Sequence, residues 1–252
     1  MLKKKYVASV SFGKDSVAML LMLIEKKWPL DEAVFYDTGM EFNAIYQVRE
    51  QIRPVLQDHG IQYVELKPER PFLYDMLEKP VYSKQKGNHC GYGWCGGLCR
   101  WGTTNKLKAL DAYAEQNGAV VYIGIAADEV KRLARLRGYK RAPLAEWGLT
   151  EADALRYCRK HGIHWTENGI DLYDILDRVS CWCCCNKNQK ELFNIWKYLP
   201  EYWNRLKELQ SKIRRPMKKF RTDQTYGDLG NIINLERYWK EENNAGKFER
   251  YD

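Results

Sequence analysis

The chain has 252 residues, 45% of them hydrophobic and 29% charged, enough for one large core or for one domain with an appendage. No apolar run approaches the roughly 18 residues of a membrane span, and the basic start MLKKKYVASV leads straight into a glycine-containing turn rather than a cleavable leader, so a cytoplasmic protein is expected. A formal net charge of +8 suits an anionic partner without choosing between nucleotide and nucleic acid, and 8 cysteines in a cytoplasmic chain argue against a disulfide framework.

Apolar runs predict strands at Tyr6–Val10, Ala33–Tyr36 and Tyr63–Leu66. Between them, amphipathic patterns predict helices over Ser16–Lys27 and Asn43–His59, the second closed by Gly60. Strands alternating with helices read as a parallel sheet with crossover helices, whose ligands sit beyond the carboxyl ends of the strands. Residues 67–103 break this rhythm with Pro68, Pro71, Pro80 and a glycine- and cysteine-rich stretch. A helix, Thr104–Gln116, and a strand, Val120–Ile123, follow, and Gly124 leaves room for a ligand to approach the backbone. Thr150, with Glu151 and Asp153 behind it, is a helix N-cap with an acidic first turn. Helices are expected again at Asn188–Leu199 and Glu201–Lys212, with Pro200 starting the second. Pro216 to Asp252 is polar and basic and reads as a wrapped arm or a partly disordered tail. The expected division is 1–145, a nucleotide-binding α/β domain with a cysteine-rich insertion at about 67–103, and 146–252, a helical and cysteine-rich region packed on it.

Ser11-Phe12-Gly13-Lys14-Asp15-Ser16 joins the first strand to the first helix. A small-residue turn there gathers backbone N–H groups around an anion at the helix start; Lys14 adds a positive charge, and Ser11 and Ser16 add hydroxyls. The competing reading is an ordinary turn capped by Asp15 or Ser16. Asp37, Thr38 and Gly39 close the second strand and suit a nucleotide or cation, or a turn with Gly39 in the left-handed region. Lys131, Arg132, Arg135 and Arg137 are a solvated face or anion contacts, with Arg132 the first candidate for a phosphate. Lys212 to Arg221 is a basic run that fits a nucleic-acid backbone or a solvated segment.

The cysteines fall into two groups, Cys90, Cys95, Cys99 and Cys181, Cys183, Cys184, Cys185, while Cys158 lies alone in a helical pattern and reads as a buried small residue. Cys181 and Cys184 have the spacing of two ligands to one tetrahedral centre, and the first group can supply the rest. A metal centre, a thiol redox pair and structural burial are the three readings. The centre expected is an iron–sulfur cluster of the 4Fe–4S kind, with zinc as the alternative, and His89 beside Cys90 would allow a mixed site.

SFGKDS resembles the SGGKDS loop of the PP-loop ATP pyrophosphatase superfamily, and SVSFGKDS is most similar to its form in phosphoadenylylsulfate (PAPS) reductases, although Phe12 stands where that family usually has glycine. FYDTGMEF resembles the family's strand end beside the adenosine pocket. YIGIAADE resembles a segment that shapes its anion site, with Ala126 where arginine is common. RVSCWCCC and CRWGTTNKLKAL resemble two further motifs, Gly102 replacing a cysteine of the second, and the resemblance implies Cys95, Cys99, Cys181 and Cys184 as the metal ligands, leaving Cys90, Cys183 and Cys185 spare, with Cys90 a candidate catalytic persulfide carrier or resolving thiol. The resemblance implies an adenine nucleotide alpha hydrolase-like fold. It implies ATP or a sulfonucleotide held by Ser11, Gly13, Lys14, Asp15, Ser16, Asp37, Thr38, Gly39, Gly124 and Arg132, with Lys14 and Asp15 catalytic and Mg²⁺ on the pyrophosphate.

Two reactions fit. A sulfonucleotide reductase attacks sulfur with a mobile cysteine, and no cysteine follows Cys185 to serve as the C-terminal nucleophile of such enzymes. An adenylating sulfurtransferase splits ATP between its α and β phosphates and lets sulfur displace AMP from a tRNA, DNA or small-molecule acceptor, drawing on a sulfur donor protein. The sulfurtransferase is the expected function. The reductase and a nucleotide-binding accessory protein with a structural metal centre are the alternatives, and no membrane partner is expected.

Overall fold

A computed structural model describes residues 4–82, 84, 87–94, 99, 102–184, 186–213 and 232–244. The chain divides into two compact units, 1–68 with 106–166, and 69–105 with 167–252.

The first unit is built on a five-stranded parallel sheet: β1 (Lys5–Val10), β2 (Glu32–Tyr36), β3 (Gln62–Leu66), β4 (Ala119–Ile123) and the short β5 (Lys140–Arg141), in the order β3-β2-β1-β4-β5. The strand run EAVFY is buried throughout, as a parallel strand covered on both faces must be. Val7, Val34 and Ala119 meet on one face, where Leu110 and Tyr113 of helix α3 (Thr103–Gln116) pack over them. Helix α1 (Lys14–Glu25) buries Val17, Ala18, Leu20 and Leu23 and packs on α4 (Glu151–Lys160), while α2 (Asn43–Asp58) links β2 to β3. Thr150 caps α4 in a capping box with Asp153, and Gly60 follows α2 in the left-handed region at φ 66°, both where the sequence put them. The α/β class, the parallel sheet and the crossover helices are those expected.

β2 and β4 lie on opposite sides of β1. The chain therefore reverses its winding direction next to the carboxyl end of β1, the place where an open parallel sheet forms its ligand crevice. The segment after β1 is the Ser11–Ser16 turn.

The second unit is mainly helical, with α5 (Gln189–Tyr198), α6 (Pro200–Lys212) and α7 (Ile232–Asn244). Pro200 opens α6 as expected, and α7 occupies part of the stretch read from sequence as an arm or a disordered tail. The polar and basic composition of Pro216–Asp252 as a whole hid α7, whose apolar residues Ile232, Leu235 and Trp239 recur at helical spacing. Leu235 and Trp239 are fully buried. Trp239 meets Phe193, Trp196 and Trp203 with ring centroids 5.4, 5.6 and 5.5 Å away. Glu236 beside them accepts from Trp203 Nε1 at 3.0 Å and pairs with Lys207 at 2.9 Å and Lys240 at 2.7 Å. Partial burial opposes its charge, but the hydrogen bonds from Lys207, Lys240 and Trp203 outweigh this and hold its pKa at about 2. No described helix is long and apolar enough to cross a membrane.

A carboxyl with a depressed folded-state pKa contributes stability that is complete above its ordinary value of 4.5 and is lost as pH falls through about 2. Glu236→Gln should therefore lower stability at neutral pH and flatten its dependence between those two values. Acid unfolding followed by tryptophan fluorescence checks this; an unchanged acid profile would contradict it.

Candidate nucleotide site

The β1–α1 turn is built from its own hydroxyls. Ser16 Oγ donates to the Gly13 carbonyl at 3.0 Å and accepts from the Ser11 N–H at 3.1 Å, and it lies 3.2 Å from Ser11 Oγ. Ser16 is buried and serves as an internal staple of the turn. Gly13 occupies the N-cap of α1 and has no side chain with which to satisfy the first N–H groups of the helix. The capping by Asp15 or Ser16 that a plain turn would need is not formed at this helix start. What faces the crevice is an uncapped helix N-terminus with the positive end of its dipole.

Lys14 and Asp15 sit at that end. The Lys14 ammonium is 2.8 Å from Asp15 and 3.7 Å from Glu151, the first residue of α4, and only 9% of its side chain is accessible. Burial raises the Asp15 pKa; Lys14 opposes this, while Glu151 and Glu129 reinforce it. Glu151 was not singled out as a site residue from sequence, although its place behind the Thr150 cap was legible. Its N–H in turn donates to Asp128 at 3.1 Å, which ties the end of the β4 segment to α4.

Gly124 meets the turn at close range. A Cβ there would lie 2.8 Å from the Asp15 carbonyl carbon and the Ser16 nitrogen, so the bare backbone makes room for the turn itself. Asp37, Thr38 and Gly39 form a closed turn at the end of β2. Asp37 Oδ1 accepts from the Gly39 N–H and the Tyr46 hydroxyl, each at 2.8 Å, and Gly39 has φ 72°. Thr38 Oγ1 donates to Glu41 at 3.1 Å. Arg132 is exposed and paired with Glu129, whose other oxygen accepts from the Ala126 N–H at 3.2 Å. Cys158 is buried as expected, and its thiol donates to the Lys14 carbonyl at 3.3 Å. Burial and the nearby Asp15 charge push the Cys158 pKa up to about 12.

The remaining cysteines belong to the second unit. Cys90 is exposed on a short antiparallel ladder with Pro80, and His89 Nδ1 contacts the Gly87 carbonyl. Cys99 Sγ accepts from the Gly102 N–H at 3.3 Å, and its carbonyl accepts from Thr104 at 3.0 Å. Cys181 hydrogen-bonds Cys183 and Cys184. These bonds raise the Cys181 pKa and lower that of Cys184 to about 6, with buried Lys187 adding to the second effect.

The expected metal centre is overturned. No group of three or more His, Cys, Asp or Glu among the described residues is placed to hold a metal ion. Cys99, Cys181 and Cys184 do not assemble into an iron–sulfur or zinc site; their sulfurs are engaged in the local hydrogen bonds above, and Cys95 lies outside the described residues, as does Cys185. The basic run beyond Ile213 also lies outside them.

Residues 5–184 match the model of the phosphoadenosine phosphosulfate reductase domain. The chain belongs to that family. It is also 22% identical over 221 residues to an uncharacterized protein of Methanocaldococcus jannaschii, an alignment covering 81% of this chain and 41% of the relative. The chain thus spans about two fifths of that relative's length. Within the reductase-domain family the matched span includes the turn, both strand ends that flank it and Cys184.

Gly124→Ala should force the turn and β4 apart. Overpacking of this kind costs about 1–3 kcal/mol. A lowered midpoint in thermal or chemical denaturation, together with weakened ligand binding at the turn, is the expected result.

Proposed function

We propose that the chain binds ATP, with its phosphates at residues 11–16 and its adenosine near Tyr36–Gly39, and uses it for adenylating sulfur transfer. The observation that carries this reading is the uncapped start of α1 at the sheet's switch point, with buried Lys14 beside it. An acceptor oxygen attacks the α phosphorus, the bond to the β-phosphate oxygen breaks, and pyrophosphate leaves. A sulfur nucleophile from a donor protein then attacks the activated carbon, and AMP departs with the electrons of the carbon–oxygen bond. Lys14 and the turn's N–H groups stabilise charge developing on the phosphates. Asp37, Thr38 and Gly39 border the adenosine, and Arg132 would reach a phosphate by exchanging its Glu129 partner. The acceptor is a nucleic acid or a small molecule, and the net charge of +8 suits an anionic one.

The family description also favours a second reading, reduction of a sulfonucleotide. That reaction needs a thiolate against sulfur. Cys158 is the first unit's one cysteine in sequence, and it is fully buried with its thiol held protonated. A reductase would therefore draw its nucleophile from Cys90, another second-unit thiol or a separate protein, which makes adenylation the better supported chemistry.

Calorimetric titration with ATP, AMP and a sulfonucleotide, followed by assay of pyrophosphate release with tRNA, DNA and small acceptors plus a sulfur donor, tests both readings. ATP should bind most tightly, and Lys14→Ala should weaken it by about 10- to 100-fold, the loss of a charge-assisted contact. Sulfite release from a sulfonucleotide would establish the second reading, and binding of none of the three would end both.

A further inference from the structure

Phe12 is the anomaly of the turn. It has φ 56°, a left-handed conformation that a bulky residue rarely adopts. Yet its side chain is fully buried, packed edge-on against Phe35 with centroids 5.1 Å apart and tilted against Tyr63 at 6.2 Å. Ring packing anchors the side chain but does not by itself orient the peptide that follows. That peptide is held from the other side. The indole of Trp165, itself fully buried, donates its Nε1–H to the Phe12 carbonyl at 2.7 Å. In a trans peptide the carbonyl and the next N–H point in opposite directions. Fixing the Phe12 carbonyl against Trp165 therefore turns the Gly13 N–H away from that indole. Cys158 makes a parallel contact two peptides further on, against the Lys14 carbonyl.

We propose that Trp165 is a positioning residue of the anion turn: its indole N–H holds the Phe12–Gly13 peptide with the Gly13 N–H presented to a bound phosphate or sulfate, and so lets phenylalanine stand in a conformation that glycine would adopt unaided. The inference rests on the reading of the turn as a phosphate grip and adds the residue that sets its geometry. A tryptophan 153 positions away in sequence thereby becomes part of the ligand's environment without touching it. It also accounts for the tolerance of a non-glycine residue at the second position of the turn. The strain is confined to a backbone clamped on one side by Phe35 and Tyr63 and on the other by Trp165.

The test is a double-mutant cycle on the full chain, with Trp165→Phe, Phe12→Gly and the pair, read by calorimetry with ATP and with adenosine. Loss of a single positioning hydrogen bond should weaken ATP by about 3- to 10-fold in Trp165→Phe and leave adenosine affinity unchanged. In the Phe12→Gly background the same tryptophan change should cost less than about twofold, because glycine needs no clamp. Should either variant fail to fold, wild-type protein carrying benzothienylalanine at position 165 keeps the shape of the indole and removes only its N–H donor. Equal ATP affinity in that protein, equal losses for ATP and adenosine, or an undiminished penalty in the glycine background would each overturn the proposal. If wild-type protein binds no ATP, the phosphate reading fails and takes this one with it; if wild type binds and the donor-deleted protein binds equally, this one alone fails.

Discussion

The first unit is organised around one peptide turn that must leave N–H groups open at the start of a buried helix while its carbonyls stay satisfied. An N–H or C=O left without a partner in a packed interior costs more than a made hydrogen bond gains. The turn meets this demand from within and from behind. Ser16 takes the Gly13 carbonyl and the Ser11 N–H, Trp165 takes the Phe12 carbonyl and Cys158 takes that of Lys14. Gly124 lets the end of β4 close on the same backbone. Once the carbonyls are occupied on the core side, the N–H face of the turn and Lys14 make up the proposed phosphate site.

Much of this was legible in the sequence because parallel strands and the turn between β1 and α1 leave local signatures. VFY and VVYI are continuous apolar runs, Thr150-Glu151-Ala152-Asp153 is a capping box, and Gly60 closes α2. The residues that finish the site were not legible for the opposite reason. Trp165 and Cys158 reach the turn from 153 and 144 positions away, and no local pattern encodes such a contact. Glu151 was visible as a first-turn acid but not as a neighbour of Lys14. Gly124 was read as a place where a ligand can approach the backbone, and the sequence did not show that the protein's own Asp15–Ser16 peptide packs against it. The same distinction separates the two readings of Asp37, which caps its own turn and still ends a strand beside the crevice.

The cysteine-rich segments misled for a related physical reason. Spacing shows that Cys181 and Cys184 can approach one point; it does not show that a second pair converges there. Cys181 instead hydrogen-bonds Cys183 and Cys184, with Lys187 buried beside Cys184, and Cys99 helps to shape the start of the helix that follows it. Dense thiols are compatible with hydrogen-bonded packing when one of them is stabilised as a thiolate. The tail showed the converse error: the polar and basic composition of Pro216–Asp252 masked the helical spacing within Ile232–Asn244, whose Trp239 docks among the aromatic side chains of α5 and α6.

The central claim is that the Ser11–Ser16 turn is where a phosphate-bearing adenine nucleotide is held. Backbone amide chemical shifts of isotope-labelled protein, followed through an ATP titration, test it most directly. The account predicts saturable shifts that are largest at residues 11–16 and at the Tyr36–Gly39 strand end. Saturable shifts centred elsewhere, with the turn's amides unmoved, would contradict it.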